Sequence, residues 1–586
     1  MDRVLLTTET KKLINPKNFY LFSNETFFRD VSEYDGKIGY RFIKSPIMRS
    51  NTKYLETKEI LRIVDSVEKE IYDYLNKYHG VDYKHRYWKI IVGNWIIRFV
   101  KVVYFRYRIL EECLSKKDSF DYAYISKFED YSQASTTTGD LWTACMDEEW
   151  NYNLFSKICS ISFSEKIKHK LFKSHNTKFN NKINTDITTI KEFVKNRAEK
   201  ILSIINFFTK KNEIAIKKTY LSFFDEIKFN FYNGQLPSVL LNSNYKNNDI
   251  DTYARKSSNM FKNIDQYEGF EKLIRRTIPN AIPKVVLENY ASILESIKKN
   301  NWPTNPRIIF TSNSYDADDY FKIWAAEKIQ KKNSLYIIAQ HGLLEANEEQ
   351  SEDLNEYKVC DYYLKWGKKK NSKDISLFNI KLSNKKINYD KNGKILIISR
   401  SQGYENEIYS RHEEYLVYNK CLHKILNILS VKKNENVLLR LKRTFQWINK
   451  REFLIQKEFP LIKIDLGIKN VYSLFEESKL VVFMYYSTGV LETLTENIPS
   501  MFYCPLEIVY LNPQQKKYLD KLNNLKIVSY TQEEFERNIL DVTENVCNWW
   551  NDEKLQSARR EFCNQYTHKF KSNPVMEILK TLQSKI

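Results

Sequence analysis

Residues 478–505 read SKLVVFMYYSTGVLETLTENIPSMFYCP. An apolar run, Leu480–Met484, passes through Tyr486-Ser487-Thr488-Gly489 into a helical stretch, Gly489–Thr495, and on to a second apolar run, Ser500–Tyr503. Strand, turn, helix and strand in that order are the signature of a parallel sheet. The turn is also the place where such a sheet offers chemistry. Free backbone N–H groups and the positive end of the helix favour a phosphate there. Ser487 and Thr488 supply hydroxyl donors, Gly489 permits close approach, and Glu492, one turn on, can accept from ribose hydroxyls. A plain Ser/Thr helix cap accounts for the same residues, and neither G-x-x-x-x-G-K-[ST] nor G-x-G-x-x-G occurs in the chain.

Outward from this segment the alternation continues. Lys394–Ile398, Asn436–Leu441 and Leu461–Ile464 read as strands, with a helix over Tyr415–Leu429. Upstream, Arg307–Phe310, Leu335–Ala339 and Asp361–Lys365 read as strands around a helix at Tyr320–Lys331. The polar stretch 368–392 separates the two patterns and predicts a linker. Nearer the start, Val4–Thr8 and Phe19–Phe22 read as strands and Val239–Leu241 as strand-like. Ile60, Ile63, Val64, Val67, Ile71 and Leu75 recur at helical spacing. A second, aromatic-rich helix runs from about Lys84 to Cys113, residues 115–235 look mostly helical, and Leu273–Asn300 is helical. Helices near Glu533–Trp550 and Glu553–Ser584 close the chain. The expected fold is α/β and GT-B-like: two Rossmann-type domains, a large helical N-terminal portion and C-terminal closing helices. Residues 1–370 form an acceptor-side domain with a helical insertion at about 58–235, and 371–392 a linker. Residues 393–550 form the donor-binding domain and 551–586 the final helices. Ligands in such sheets bind beyond the carboxyl ends of the strands.

Bulk properties agree with two large cores. The chain has 586 residues with only 13 Gly and 12 Pro, which argues against long flexible tails. The net charge of +20 points to an anionic partner or to a Lys-rich composition without function. Residues 164–220 carry fourteen Lys/Arg against five Asp/Glu, suiting an anionic membrane surface or a solvated helical face. No recognised nucleic-acid motif accompanies the charge, so nucleic acid is not an expected partner. The eight Cys form no C-x-x-C pair, and no apolar run is long enough to span a membrane. The expected setting is cytoplasmic, peripheral to the inner membrane, with no cofactor and no metal. Asp316-Ala317-Asp318 matches D-x-D, but it precedes a helix and reads better as a cap.

The run S-T-G-x-L-E-T-L-x-x-N-I-P closely resembles a family of transferases encoded in O-antigen and surface-carbohydrate loci. So do LNKYHGVDYKHRYWKIIVGNW (75–95), FTSNS…FKIWAAEK…QHG (310–342), DYYLKWG (361–367) and NWW…QSARREFCNQY (548–566), in the same order along the chain. The C-terminal half also resembles GT-B glycosyltransferases and, more distantly, CDP-glycerol-dependent wall polymerases, which pair an H-G loop with a hydroxyl-rich helix N-terminus. Where the family pattern places further glycines after H-G, this chain has Leu343-Leu344-Glu345.

The resemblance implies a metal-independent glycosyltransferase using a nucleotide-sugar donor and a surface-polysaccharide or lipid-linked glycan acceptor. His341, just past the LYIIA strand, is the candidate general base or phosphate ligand, with Glu345 a second catalytic candidate. Ser399, Arg400, Arg440, Lys442, Ser487, Thr488, Gly489 and Glu492 are the expected donor-binding set, the arginines offering paired donors to a diphosphate. His79, His85 and Trp88, in the family-like N-terminal motif, are candidate acceptor contacts, although periodicity also places Trp88 in a packed core. Two alternatives stand beside this reading: a CDP-polyol-dependent polyol-phosphate transferase, and a non-catalytic scaffold binding polysaccharide or membrane.

Overall fold

A computed structural model describes residues 4–6, 19–23, 40–44, 50–115, 122–126, 134–145, 147–166, 168–172, 208–343, 354–383, 385–400, 411–433, 435–441 and 448–585. Three sheets organise these residues, and every strand pairing in them is parallel. The first contains β1 (Val4–Leu6), β2 (Phe19–Ser23), β3 (Tyr40–Lys44), β4 (Tyr122–Ser126) and β5 (Lys168–Phe172), ordered β3-β2-β1-β4-β5. The second contains β6 (Ile214–Lys217), β7 (Ile308–Thr311), β8 (Leu335–Ala339), β9 (Tyr362–Lys365) and β10 (Asp374–Ser376) in sequential order. The third contains β11 (Lys394–Ile398), β12 (Val437–Arg440), β13 (Lys463–Asp465), β14 (Ser478–Phe483), β15 (Ser500–Tyr503) and β16 (Val528–Ser529). Its order is β13-β12-β11-β14-β15-β16.

The apolar runs form strands because both of their faces are buried. In β8, Tyr336 and Ile338 enter the core shared with the helices, while Ile337 and Ala339 enter the core on the opposite face. In β14, Val481 and Phe483 pack on one side and Leu480 and Val482 on the other. The third sheet reverses direction of growth between β11 and β14. In such sheets the region outside the carboxyl ends of the two strands at that reversal is the usual ligand position. The pairing of two parallel α/β units expected from the sequence is therefore present, and the chain is α/β and GT-B-like in this respect.

Two long helices, Ser50–His79 and His85–Ser115, cover one face of the second sheet. Their apolar stripes, including Ile60, Val67, Ile71, Trp95 and Phe99, bury against each other and against the Asp319–Lys332 helix. The C-terminal segment crosses both units. Helix Glu553–Tyr566 places Leu555 and Phe562 in a core of the third sheet. Helix Pro574–Gln583 returns Val575, Ile578, Leu579 and Leu582 to the second sheet, beside Phe229 and Phe310. Between them the backbone is stitched to the second unit. The Lys368 N–H donates to the Gln565 carbonyl at 3.0 Å, the His568 N–H to the Trp366 carbonyl at 2.5 Å, and the Asn379 N–H to the His568 carbonyl at 2.9 Å.

Four expectations change. Among the described residues of 115–235 helix is not the only element: β4, β5 and β6 lie there, hidden in short segments such as KHKLF whose polar residues break the apolar run. The N-terminal portion accordingly carries its own parallel sheet. The 368–392 stretch is packed rather than a free linker: it holds β10, a 3-10 turn at Ile380–Leu382, and buried Leu382 and Ile387. Val239–Leu241 forms no strand, and the helix expected over Glu553–Ser584 breaks at Thr567–Asn573, where the chain passes from one unit to the other. The basic stretch 164–220 lies mostly outside the described residues.

Gly367 is where this crossing is tightest. A Cβ there would lie 2.2 Å from the Gln565 carbonyl oxygen and 2.7 Å from the Tyr566 Cα, both backbone atoms that cannot rotate away. Gly367→Ala is expected to cost at least ~1–3 kcal/mol, read as a lowered midpoint in urea denaturation. A midpoint equal to that of the parent chain would show that the stitch is not as tight as described.

Candidate active site

The carboxyl ends of the second and third sheets meet. After β8 the chain runs Gln340-His341-Gly342-Leu343. Gln340 shapes this turn: its amide donates to the Gly342 carbonyl at 2.9 Å and its side-chain oxygen accepts from the Trp366 N–H at 2.9 Å. The turn seats directly on the N-terminus of the Thr488–Thr495 helix, where the Leu343 N–H donates to Thr488 Oγ1 at 3.1 Å. Gly342 leaves room at this seam: a Cβ would stand 3.1 Å from the same oxygen, a tight contact that the threonine would have to relieve by a few tenths of an ångström. The Leu343 side chain packs onto the third-sheet core beside Tyr486 and Leu491. Leu343 thus fastens the two units together.

On the third sheet, Ser399 and Arg400 follow β11 and Ser487 to Gly489 follow β14, on either side of the switch point. Ser487 is the helix N-cap with extended backbone, and its side chain makes no capping bond. A Cβ at Gly489 would meet Phe483 Cε1 at 2.6 Å, so the glycine lets the helix lie close on its own strand. Ser399 is buried, and its hydroxyl donates to the Arg440 carbonyl at 3.2 Å. Arg400 stacks over the Tyr418 ring at 4.6 Å. Arg440 donates to Asp465 at 2.6 Å and to the Lys469 carbonyl at 2.9 Å, which draws part of its fork towards the β13 side. Lys442 and Glu345 lie outside the described residues.

Glu492 is only 7% exposed. Burial raises its pKa, opposed by the charges of Lys381 and Lys385 and by a hydrogen bond from Tyr472. Its neighbours are therefore ammonium groups rather than open solvent. Burial lowers Lys381, and it lowers Lys385 to about 8. Lys385 donates to the Lys381 carbonyl at 2.5 Å and lies over the Tyr472 ring at 3.4 Å; Lys381 lies over the Tyr220 ring at 4.8 Å. Among the described residues no carboxylate comes within ion-pair distance of either ammonium group. Both lysines come from the stretch read as a linker, and no local pattern marked them.

His341 faces this group. Burial pulls its pKa down to about 4, helped by the charges of Lys381 and Arg98 and opposed by Asp316, so the imidazole is neutral at ordinary pH. Its Nδ1 lies 2.7 Å from the Tyr315 hydroxyl. Tyr315 and Asp316 sit on the turn after β7, and Arg98 reaches Asp316 at 2.6 Å from the His85–Ser115 helix. Asp318 caps the Asp319–Lys332 helix, accepting from the Phe321 N–H at 3.2 Å and pairing with Lys217 at 2.9 Å. Among the described residues no group of three His, Cys, Asp or Glu is placed to hold a metal ion. No helix among them is long and apolar enough to cross a membrane.

The N-terminal candidates are not brought here. Trp88 is 0% exposed and donates to Asn76 at 2.7 Å, leaving no surface for an acceptor. His79 stacks on Trp88 and Tyr290, and its Nε2 lies 2.9 Å from the Val286 carbonyl oxygen. His85 pairs with Asp73 at 2.8 Å. The next residue, Arg86, donates to Val359 and Asp361 at the amino end of β9, the far edge of the sheet from His341. Arg98, thirteen residues beyond His85 and roughly 20 Å further along the axis of the same helix, is the residue that pairs with Asp316 beside His341.

A family model for the LIC12162 family transferases matches residues 3–582. The chain belongs to the LIC12162 transferase family. No curated protein matches the sequence. Among solved structures, MurG of Acinetobacter baumannii aligns over 51% of this chain and 78% of its own, at 13% identity and a TM-score of 0.30. The wall teichoic acid polymerase TagF aligns over 68% of this chain and 95% of its own, at 12% identity and 0.32. HepE of Anabaena, solved with UDP and glucose, aligns over 54% and 89%, at 9% identity and 0.31. Likenesses this distant say nothing about the chemistry of the LIC12162-family chain, whose site is read from its own residues.

The neutral histidines give a pH signature. Burial pulls the His79 and His341 imidazoles down to about 4 in the fold, below the ordinary imidazole value of about 6.5. The unfolded chain binds more protons between those values, so stability is full above pH 6.5 and falls as pH drops towards 4, by on the order of 1–3 kcal/mol per histidine. Denaturation midpoints measured at pH 7.0 and 5.0 are expected to differ less in a His341→Asn variant than in the parent. An unchanged difference would mean that His341 is protonated in the fold.

Proposed function

We propose that the protein transfers a sugar from a nucleotide-sugar donor to a glycan or lipid-linked acceptor of surface-polysaccharide synthesis. The observation that carries this reading is the switch point of the third sheet, where a helix N-terminus without a side-chain cap stands near Lys381, Lys385 and a neutral His341. In this proposal Ser487, Thr488 and the helix N-terminus hold the donor diphosphate, with Ser399 and Arg400 beside it and Arg440 bracing the β12 end. Lys442, in the same segment of sequence, remains part of the proposed donor set. Glu492 is assigned to holding the two ammonium groups in place rather than to the ribose.

The step follows from these roles. The acceptor hydroxyl gives its proton to the His341 imidazole while its oxygen bonds to the anomeric carbon. The bond from that carbon to the diphosphate oxygen breaks, and the electron pair leaves with the nucleotide. Lys381, Lys385 and the helix N-terminus stabilise the developing charge without a metal. A neutral imidazole suits this task, since a protonated one cannot accept.

Thermal-shift titration with CDP, UDP, GDP, dTDP and ADP tests the donor half. One of them is expected to raise the melting temperature at millimolar concentration, and Lys381→Met to weaken its binding about 10–100-fold, the loss of one hydrogen bond to a charged group. His341→Ala is expected to keep that binding and lose about 10²–10⁴-fold in turnover. No shift with any nucleotide would remove the proposal. A phosphodiester in the product, in place of a glycosidic bond, would instead make this a polyol-phosphate transferase.

A further inference from the structure

Three consecutive strands of the second sheet each deliver one side chain to a single line of contacts. His341 follows β8, Tyr315 sits on the turn after β7, and Glu356 lies on the short helix Asn355–Val359 that precedes β9. The Tyr315 hydroxyl is 2.7 Å from His341 Nδ1 and 3.2 Å from Glu356 Oε1. Tyr315 and Glu356 are both buried. Nε2 of His341 has no hydrogen-bond partner among the described residues. We infer that Tyr315 and Glu356 are positioning residues that fix the His341 tautomer, leaving Nε2 as the bare, cleft-facing base.

A tyrosine hydroxyl carries one hydrogen but touches two groups. A carboxylate can only accept. If Glu356 is ionised, Tyr315 donates to it, and the tyrosine oxygen must then accept from Nδ1–H of the histidine. The lone pair of the neutral ring is thereby placed on Nε2. Were Glu356 absent, Tyr315 would turn its hydrogen to Nδ1, and Nε2 would carry the ring proton and could no longer take one from an acceptor. Burial pushes the Glu356 carboxyl up, and Asp316 adds to this, while its own backbone N–H, the Arg98 charge and the Tyr315 hydroxyl oppose the rise; the ionised form is the premise that the tautomer measurement below tests. The other groups that face the imidazole are Lys381, Arg98 and Asp316. None of the three is a hydrogen-bond partner of Nδ1. The arrangement needs no proton to leave Glu356 or Tyr315 during turnover. It sets which nitrogen is free before the acceptor arrives, the second-sphere role that a hydrogen bond to the other ring nitrogen commonly plays.

This inference rests on the reading of His341 as base, but its test needs no substrate. The chain is labelled with carbon-13 histidine, and the Cδ2 shift of His341, which separates Nδ1–H from Nε2–H imidazole, is assigned by its loss in His341→Asn. The parent protein is expected to show one neutral Nδ1–H form from pH 5.5 to 8. Tyr315→Phe and Glu356→Leu are each expected to move it to the Nε2–H form, with the other seven histidines unchanged. An Nε2–H form in the parent overturns the relay. So does an Nδ1–H form that persists in either variant, and since the two substitutions lie on different elements, one folded variant suffices. A positive result with no nucleotide binding would leave the relay standing and remove only the proposed donor.

Discussion

The contact between the Leu343 N–H and Thr488 Oγ1 is the constraint on which this site depends. It joins the carboxyl end of one parallel sheet to the helix N-terminus of another, and glycines on both segments ease the approach. Gly342 leaves room for the threonine hydroxyl, and Gly489 lets the helix sit close on Phe483. The Leu343 side chain then adds burial to the same seam. On the other flank the 367–379 and 565–568 segments exchange backbone hydrogen bonds, and the final helix returns to the second sheet. The cleft is therefore bounded by fixed backbone on two sides, which is what pre-organised electrostatics requires.

Within that frame burial weakens every charge it touches. His341 is held neutral, Lys381 and Lys385 are pulled down, and Glu492 and Glu356 are pushed up. The common cause is desolvation, and mutual attraction offsets only part of it. An anion entering beside the two ammonium groups would return to them the counter-charge that water supplies elsewhere. The fold stores polarity where it is poorly solvated, which is where a charged ligand gains most from binding.

The elements that were easy to read are those buried on both faces. LYIIA, KILII, LVVFM and SMFY are continuous apolar runs, and β8, β11, β14 and β15 fall within a residue or two of them. The helix stripes from Ile60 to Leu75 and the aromatic second helix were legible for the same reason. The first sheet was half legible: VLL and FYLFS declare themselves, whereas YAYIS and KHKLF do not, since polar residues interrupt them. The stretch read as a linker failed because its apolar anchors, Ile380, Leu382 and Ile387, are isolated among lysines.

By itself the sequence determined the alternation of strands and helices, the strand–Ser-Thr-Gly–helix turn and the place of His341 at a strand end, because each is a local pattern of burial and turn chemistry. Only the tertiary structure decided what His341 meets. Arg98, Tyr315, Glu356, Lys381, Lys385 and Glu492 converge from five segments spread over some four hundred residues, and nothing in the period or composition of any one segment encodes that meeting. It also decided what His79 and Trp88 do not meet, since a helix carries its residues to two opposite ends of a sheet and local spacing cannot say which end faces the cleft. The physical reason is the same in both cases: burial patterns fix elements one at a time, while a site is fixed by which elements pack together.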